Sequence, residues 1–152
     1  MKRLIALIFS AFTYQAASAQ FVARMQPKDM DTLTGVCDRN NIITVLPMFK
    51  DQQKAICTVS EKEIEKKLNS EVVYLIAHPE DDKGIVGIII NCKGDVIQCK
   101  IDNKTKSEEL DRQILAVFLT LTDWKPAKLS GKKVDSMVLF GFDIEKGKIV
   151  LH

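Results

Sequence analysis

The feature that most constrains the fold is a β-branched run at residues 84–91, Gly-Ile-Val-Gly-Ile-Ile-Ile-Asn, followed at once by a turn and a second apolar segment. Runs of this composition are typical of strands. Cys92-Lys93-Gly94 provides a glycine for the turn, and residues 96–101 are predicted to return antiparallel. A three-residue loop pairs Asn91 with Asp95. This register predicts one core-facing side formed by Ile85, Ile89, Ile97, Cys99 and Ile101.

Two segments that flank this hairpin have the periodicity of helices. Ser60 and Glu63 match a capping box, and apolar residues spaced four apart follow them. We therefore predict a helix over residues 61–77, because Pro79 disfavours helix at the residue before it. Its apolar stripe is Ile64, Leu68, Val72 and Ile76. A second helix, over residues 107–122, carries the stripe Leu110, Ile114, Val117, Phe118 and Leu121.

The remaining predicted strands lie at the two ends of this pattern. Residues 134–144 are predicted as the last long strand, after a loop at residues 124–133, and residues 149–151 as a short tail strand. The last long strand places Ser136, Val138, Phe140, Phe142 and Ile144 on one side. The order helix, strand, strand, helix, strand predicts an α+β fold: a small antiparallel sheet of three main strands with two helices packed on one face. This domain is expected to span residues 47–152, after an irregular extension at residues 20–46 with a short strand.

Residues 1–19 have the three parts of a secretory signal peptide: a basic start at Lys2-Arg3, a short apolar run, and the small residues Ala17-Ser18-Ala19. The apolar run is shorter than the roughly 20 residues that a spanning helix needs, so cleavage near Ala19 is predicted, with an uncleaved anchor as the alternative. We therefore expect a periplasmic or secreted protein. Since Lys2 and Arg3 carry the whole formal charge of +2, nothing points to nucleic acid as a partner.

All four cysteines, Cys37, Cys57, Cys92 and Cys99, follow the predicted signal. An even number of cysteines in an exported protein fits disulfides, and three pairings are open; four free buried thiols are the alternative. The hairpin register places Cys92 in the turn and Cys99 on the inward side, so a bond between them would be hard to close. The sequence therefore favours a bond from Cys99 to the N-terminal region.

The sequence contains none of the common motifs for nucleophilic catalysis, zinc proteolysis, phosphate binding or dinucleotide binding. There is no Cys-x-x-Cys, and the histidines are His78 and His152. The acidic pairs Asp81-Asp82 and Glu108-Glu109 are interpreted as surface and helix-start charges. No catalytic residue, metal ligand or cofactor is predicted, and we do not expect an enzyme.

Residues 47–144 resemble the C-terminal domain of TonB, the periplasmic energy transducer of outer-membrane transport. The strongest match is Leu110-Asp111-x-x-Ile114-Leu115-x-Val117, then Trp124-Lys125-Pro126-Ala127, then Gly131-Lys132-x-Val134. The glycine hairpin, Gly84-Ile85-Val86-Gly87 with Gly94-Asp95-Val96, and the helix end Ile76-Ala77-His78-Pro79-Glu80 match further family elements in the same order.

The resemblance implies a non-enzymatic binding module. In this family the domain captures a short segment of an outer-membrane receptor by adding it as a strand to a sheet edge. The matching edge here is the last strand, so the implied partner-binding positions are Val134, Ser136, Val138, Phe140 and Phe142. His78-Pro79 stands where the family has a tyrosine-proline element that also contacts the receptor. The same edge could join two copies of this chain.

Departures from the family pattern leave two functions open. A complete transducer has an uncleaved membrane helix and a long Pro-rich spacer, whereas this chain has a cleavable signal pattern and one proline, Pro27, in residues 20–46. The first function is that of a periplasmic TonB-like domain that binds protein segments, with a link to TonB-dependent transport. The second is that of a disulfide-stabilised secreted domain that reuses the fold for an unrelated ligand.

Overall fold

The computed structural model describes residues 23–24, 32–45 and 50–152. The predicted signal peptide, its cleavage near Ala19 and the predicted domain start at residue 47 lie outside these ranges. The helices are α1 (Glu61–Glu71), α2 (Tyr74–Ala77) and α3 (Glu108–Phe118). The strands are β1 (Ala23–Arg24), β2 (Ile43–Thr44), β3 (Gln52–Gln53), β4 (Ile56–Cys57), β5 (Asp82–Ile90), β6 (Val96–Asn103), β7 (Trp124–Lys125), β8 (Ala127–Leu129), β9 (Lys132–Val134), β10 (Ser136–Glu145) and β11 (Lys148–Leu151).

Three long strands form the centre of the main sheet. β5 lies between β6 and β10 and pairs antiparallel with both. The outer side of β10 pairs with β2 near its start and with β11 near its end, and β1 extends the sheet from β2. The predicted α+β class is therefore confirmed, with a sheet that is wider than the three main strands.

The β5–β6 turn has the predicted pairing. Asn91 N donates to Asp95 O at 3.0 Å, and the Asn91 side-chain oxygen accepts bonds from the amides of Lys93 and Asp95. Gly94 adopts a φ of +100°, the left-handed conformation that glycine allows without strain. The residues that form this turn are adjacent in the chain, so the turn could be predicted from the sequence.

Beyond the turn, an irregularity shifts the register of β6 by one residue, between the pair Ile90–Val96 and the pair Ile89–Gln98. A one-residue shift exchanges the two faces of a strand. The predicted core face is therefore wrong: Ile89 and Ile97 lie on the face opposite Cys99 and Ile101. The face towards the helices is formed by Val86, Ile88, Ile90, Cys99 and Ile101.

The predicted capping box is present, but the predicted first helix is two helices. The Ser60 side chain accepts a bond from Glu63 N at 3.3 Å, and the Glu63 carboxylate accepts one from Ser60 N at 3.0 Å. Helix α1 ends before Val72, which leaves helical geometry at φ −81° and ψ 86°. After this break α2 buries Leu75, whereas Ile76 is 83% exposed, so its place in the predicted stripe is wrong.

Helix α3 follows the sequence pattern closely. The Ser107 side chain accepts from Leu110 N at the start of the helix, and the whole predicted stripe is buried. Helices α1 and α3 cover one face of the sheet and form the main core with the even-numbered residues of β10. Because the periodicity is local to one helix, this element could be predicted without its tertiary partners.

The predicted loop at residues 124–133 contains three short strands, so that prediction is wrong. β7 pairs with β4, and β8 pairs with both β3 and β9. Trp124 is buried, donates from Nε1 to Leu121 O at 2.9 Å, and meets the Phe140 ring edge-on at a centroid distance of 6.3 Å. The pairings with β3 and β4 join segments that lie far apart in the chain, a relation that no local pattern records.

The N-terminal segment 32–45 crosses the sheet face opposite the helices before it forms β2. Leu33 and Ile42 form a second apolar cluster there with Ile89 and Met137. A disulfide between Cys37 and Cys92 joins this segment to the β5–β6 turn. The prediction that Cys99 bonds to the N-terminal region is therefore wrong: Cys92 does so, because the turn lies beside the segment, while Cys99 and Cys57 are free.

Asp135, between β9 and β10, holds the N-terminal segment against the β5–β6 turn. It is 2% exposed, and its carboxylate accepts bonds of 2.7 Å from the amides of Cys37, Asp38 and Cys92. Its own carbonyl accepts a bond from Ile43 N at 3.1 Å. One side chain therefore holds the N-terminal segment, the hairpin turn and the start of β10 together.

Candidate functional site

Among the residues that the structure describes, the outer edge of β10 has strand partners at both ends and none between them. Ser136 is in register with Ile43 of β2, and residues 142–145 are in register with β11. No residue in the described part of the chain is in register with residues 137–140 on this side. We call this stretch the β10 gap.

The backbone of Leu139 points into the β10 gap. Successive residues of an antiparallel strand direct their N–H and C=O groups to opposite sides. The carbonyls of Asp135 and Gly141 accept bonds on the outer side, from Ile43 N and His152 N, each at 3.1 Å. Leu139 is in phase with both, so its N–H and C=O face outward. An added strand could bond to this pair of groups.

Two adjoining cavities of about 250 Å³ each lie beside the β10 gap, and we call them together the edge cleft. One extends along β4 to Cys57 and Trp124. The other extends along β2 to Thr44 and Ser136. The residues that line both cavities are Lys54, Ala55, Glu61, Val138 and Phe140. Most of this shared lining is apolar, so an apolar side chain fits it better than a charged one.

An ion pair marks the rim of the edge cleft. Lys54 Nζ lies 3.5 Å from Glu61 Oε1, and the two side chains are 62% and 64% exposed. Exposed pairs of this kind contribute little to stability, typically below about 1 kcal/mol. Breaking this ion pair therefore costs little free energy, and Lys54 and Glu61 could each pair with a charged group of a bound molecule instead.

Two buried hydroxyl groups line the β2 side of the edge cleft. Ser136 Oγ and Thr44 Oγ1 have no hydrogen-bond partner among the residues that the structure describes. Ser136 is completely buried. An unsatisfied buried hydroxyl costs about 1–3 kcal/mol, which a polar group of a ligand could recover.

Of the five predicted positions of the last strand, Ser136, Val138, Phe140 and Phe142 lie in β10 with their side chains turned inward, and Val138 and Phe140 fall within the β10 gap. Ser136, Phe140 and Phe142 are buried, and Val138 and Val134 are half-buried. Val134 belongs to β9 rather than to the long strand. The backbone groups of the even-numbered positions bond towards β5. Val138 and Phe140 therefore contribute to this site as side chains that line the edge cleft.

His78 and Pro79 lie elsewhere. His78 ends α2, stacks on Tyr74 with ring centroids 4.3 Å apart, and is exposed. Pro79 lies against Gly147, in the turn after β10. Leu139 precedes the end of β10 by six residues, which is about 20 Å of extended strand. The structure therefore does not bring His78-Pro79 together with the β10 gap.

Sequence reasoning missed three residues that shape this site: Leu139, Lys54 and Glu61. Leu139 is 45% exposed and alternates with the buried residues of β10, so an isolated leucine on the polar phase of a strand was the available signal. Lys54 and Glu61 had no such signal, because their proximity to β10 depends on the path of the chain through β3 and β4.

The described residues contain one group with metal-ligand chemistry, Cys37, Cys92 and Asp135, whose ligand atoms lie within 4.8 Å of one another. Its sulfurs are bonded to each other and its carboxylate accepts three amides, so the cluster is structural as it stands. Burial raises the pKa of the Cys99 thiol to about 11, the opposite of the shift that activates a nucleophilic cysteine.

Three of the four residues in the acidic pairs, Asp81, Asp82 and Glu109, have structural partners. Asp82 accepts from Lys106 N at 2.8 Å and Asp81 from Lys146 N at 2.9 Å. Glu109 pairs with Arg112, and this bond lowers the pKa of Glu109. These carboxylates therefore act as loop and helix anchors.

Comparison of the chain with protein-family models, with curated proteins and with solved structures finds no significant match. Within the described ranges, none of the helices has the length and apolar character needed to cross a membrane.

Proposed function

We propose that this protein is an exported, non-enzymatic binding module that captures an extended protein segment by strand addition at the β10 gap. The observation that carries the proposal is the outward N–H and C=O of Leu139, beside a cleft and between two strands that already pair with the same edge. Strand addition uses main-chain bonds for affinity and pockets for alternate side chains for specificity.

The dimensions of the gap limit the partner segment. The four residues of the β10 gap lie between Ser136, which is in register with β2, and Gly141, whose carbonyl accepts a bond from His152 N, so about four residues of a partner can pair there. Alternate side chains of that segment would enter the edge cleft, next to Ala55, Val138 and Phe140. We therefore propose a short segment with small or medium apolar residues at the two positions that face Val138 and Phe140.

The resemblance to the TonB C-terminal domain suggests the kind of partner. We propose a segment of the outer-membrane receptor type, with a link to TonB-dependent transport. The strand order β6–β5–β10 leaves the last long strand outermost of the three, as this mode of binding requires. The positions of β2 and β11 shorten the usable edge, so fewer main-chain bonds are available than on a fully open strand.

We also propose that the protein is exported. Disulfides persist in oxidising compartments and are rare in the cytosol, and the Cys37–Cys92 bond fits a periplasmic or secreted protein.

A second function has its own supporting observation. The chain itself occupies both ends of the β10 edge, with β2 held by the disulfide and β11 held by the α1 side chains Glu65 and Asn69. This arrangement favours the alternative of a secreted domain that reuses the fold, with a small ligand in the edge cleft. That ligand would bind without main-chain bonds to Leu139.

The variant Leu139→Pro separates these functions. Proline removes the outward N–H but no bond to β5, and it is tolerated where the N–H faces away from the sheet. Synthetic segments from the N-termini of outer-membrane receptors serve as probes, with affinity measured by fluorescence anisotropy. We expect Leu139→Pro to weaken binding at least about tenfold, while the control Leu139→Ala, which keeps the N–H, binds nearly as the parent does. Equal binding by parent and Leu139→Pro would contradict strand addition.

A further inference from the structure

The other border of the main sheet, β6, is also an edge. It pairs with β5, and no strand in the described ranges lies on its outer side. Gly87 is in register with both Leu139 and Lys100. The backbone N–H and C=O of Leu139 face away from β5, so those of Gly87 point towards β6 and bond to Lys100. The residues on either side of Lys100, Cys99 and Ile101, therefore direct their N–H and C=O outward.

An exposed apolar surface lies along the same border. A groove of about 560 Å³ runs between β6 and α3. Its apolar lining is Ile101, Leu115, Ala116 and Leu119, and charged residues that include Lys104, Glu108 and Arg112 line it as well. Leu119 is 61% exposed. Outward-facing strand groups and an apolar helix face thus adjoin each other, and one partner could cover both.

The charges of β6 indicate what that partner is. Lys100 and Asp102 lie on the face away from the helices, with Lys100 Nζ 3.6 Å from Asp102 Oδ1 and the Asp102 carboxylate over Gly87. In a two-fold antiparallel pair centred on Ile101, Lys100 lies opposite the partner's Asp102, and Asp102 opposite the partner's Lys100. Opposite charges in directly facing positions stabilise a strand pair.

The other registers are less favourable. If Cys99 faced the partner's Ile101, Lys100 would face the partner's Lys100, and like charges directly opposite are destabilising. A pair centred on Cys99 would place Lys100 opposite the partner's Gln98 and lose both charge pairs. A lysine in the middle of an edge strand also opposes unselective pairing, so this edge is restricted to a matched sequence.

We propose that β6 is a self-association surface, where two copies of this chain join through a two-fold axis at Ile101. The sheet then continues from one subunit to the other, and the α3 helices meet across the axis with Leu115 and Leu119 between them. This interface is separate from the β10 gap, which stays available on each subunit. A dimer through the last strand, in contrast, would have the short β10 gap for its main-chain bonds.

Charge exchange tests the proposal. In a dimer of Lys100→Asp, the new acidic residue at position 100 faces the partner's Asp102 on both sides of the axis. In a dimer of Asp102→Lys, the new basic residue at position 102 faces the partner's Lys100 on both sides. We expect each variant alone to dissociate at least about tenfold more readily than the parent. An equimolar mixture of the two should form a heterodimer, because every facing pair across the axis then joins an acidic residue to a basic one. Sedimentation equilibrium measures the association, and circular dichroism verifies the fold. Lys62→Asp, the same change on α1, is the matched control and should associate as the parent does.

Leu119→Lys provides an independent test through the groove. Leu119 is exposed in the subunit, so the fold should tolerate the change while association weakens at least about tenfold. Ile76→Lys, an exposed apolar residue of α2, is its control. A parent protein that stays monomeric at all accessible concentrations would overturn the proposal. A dimer whose dissociation constant is unchanged by the substitutions at residues 100, 102 and 119 would also overturn it.

Discussion

Asp135 shows how a single side chain can determine the geometry of a junction. It is a buried carboxylate with three amide donors from two distant parts of the chain, the segment at Cys37–Asp38 and the turn at Cys92. Hydrogen bonds to a charged group are stronger than neutral ones, and here they replace the water that the carboxylate loses on burial.

We expect Asp135→Ala to lower the free energy of unfolding by about 3 kcal/mol, since it leaves three amides without their acceptor. Urea denaturation measures the change. Asp123→Ala, at an exposed aspartate in the loop before β7, should lower it by less than about 0.5 kcal/mol. Similar effects of the two substitutions would show that the Asp135 bonds are not stabilising.

The capping box of α1 predicts a pH dependence. Hydrogen bonds from the Ser60 side chain and backbone lower the pKa of Glu63 below its usual 4.5. A depressed folded-state pKa stabilises the protein above the unfolded-state value and loses that contribution as the pH falls through the folded-state value. In Ser60→Ala the pKa of Glu63 should rise towards 4.5, and an NMR titration measures this change. The stability difference from the parent should be present at neutral pH and shrink in acid; a difference that grows in acid would contradict this.

At the scale of elements, the hairpin turn depends on glycine for two separate reasons. Gly94 and Gly131 both adopt positive φ, +100° and +78°. A Cβ at Gly94 would also collide with the carbonyl oxygen of Trp124, whereas a Cβ at Gly131 would meet nothing within 4 Å. The two positions therefore separate backbone strain from steric conflict.

We expect Gly131→Ala to destabilise the protein by about 1 kcal/mol, from the backbone conformation alone, and Gly94→Ala by about 3 kcal/mol. Thermal or urea unfolding of the two variants gives the comparison. Equal losses would mean that the β5–β6 turn and the Trp124 backbone separate easily, and that the turn is not packed as described.

At the scale of the whole molecule, the disulfide connects the N-terminal segment to the sheet. Cys37 and Cys92 are 55 positions apart, and closing a loop of that length in the unfolded chain corresponds to about 4 kcal/mol. The bond also holds β2 at the start of β10, next to the β10 gap.

We expect the double variant Cys37→Ser/Cys92→Ser to lose up to about 4 kcal/mol in the free energy of unfolding. Amide hydrogen exchange at Ile42 and Ile43 should become faster than in the parent, because the segment is then held by Asp135 and by apolar contacts alone. Cys57→Ser, which changes a free cysteine, should leave this exchange unchanged. Unaltered exchange in the double variant would show that the disulfide does not hold β2 in place.

The elements whose causes are local could be predicted from the amino-acid sequence: the capping box, the α3 stripe, the glycine turn, the alternation along β10 and hence the α+β class. Each depends on residues within a few positions of one another. The tertiary structure alone decided the features that depend on distant segments: the register shift in β6, the pairing of Cys37 with Cys92, the break between α1 and α2, and the strands within residues 124–133. The β10 gap belongs to the second group, because an edge is open or covered according to where β2 and β11 end, and strand pairing depends on backbone groups that every residue carries.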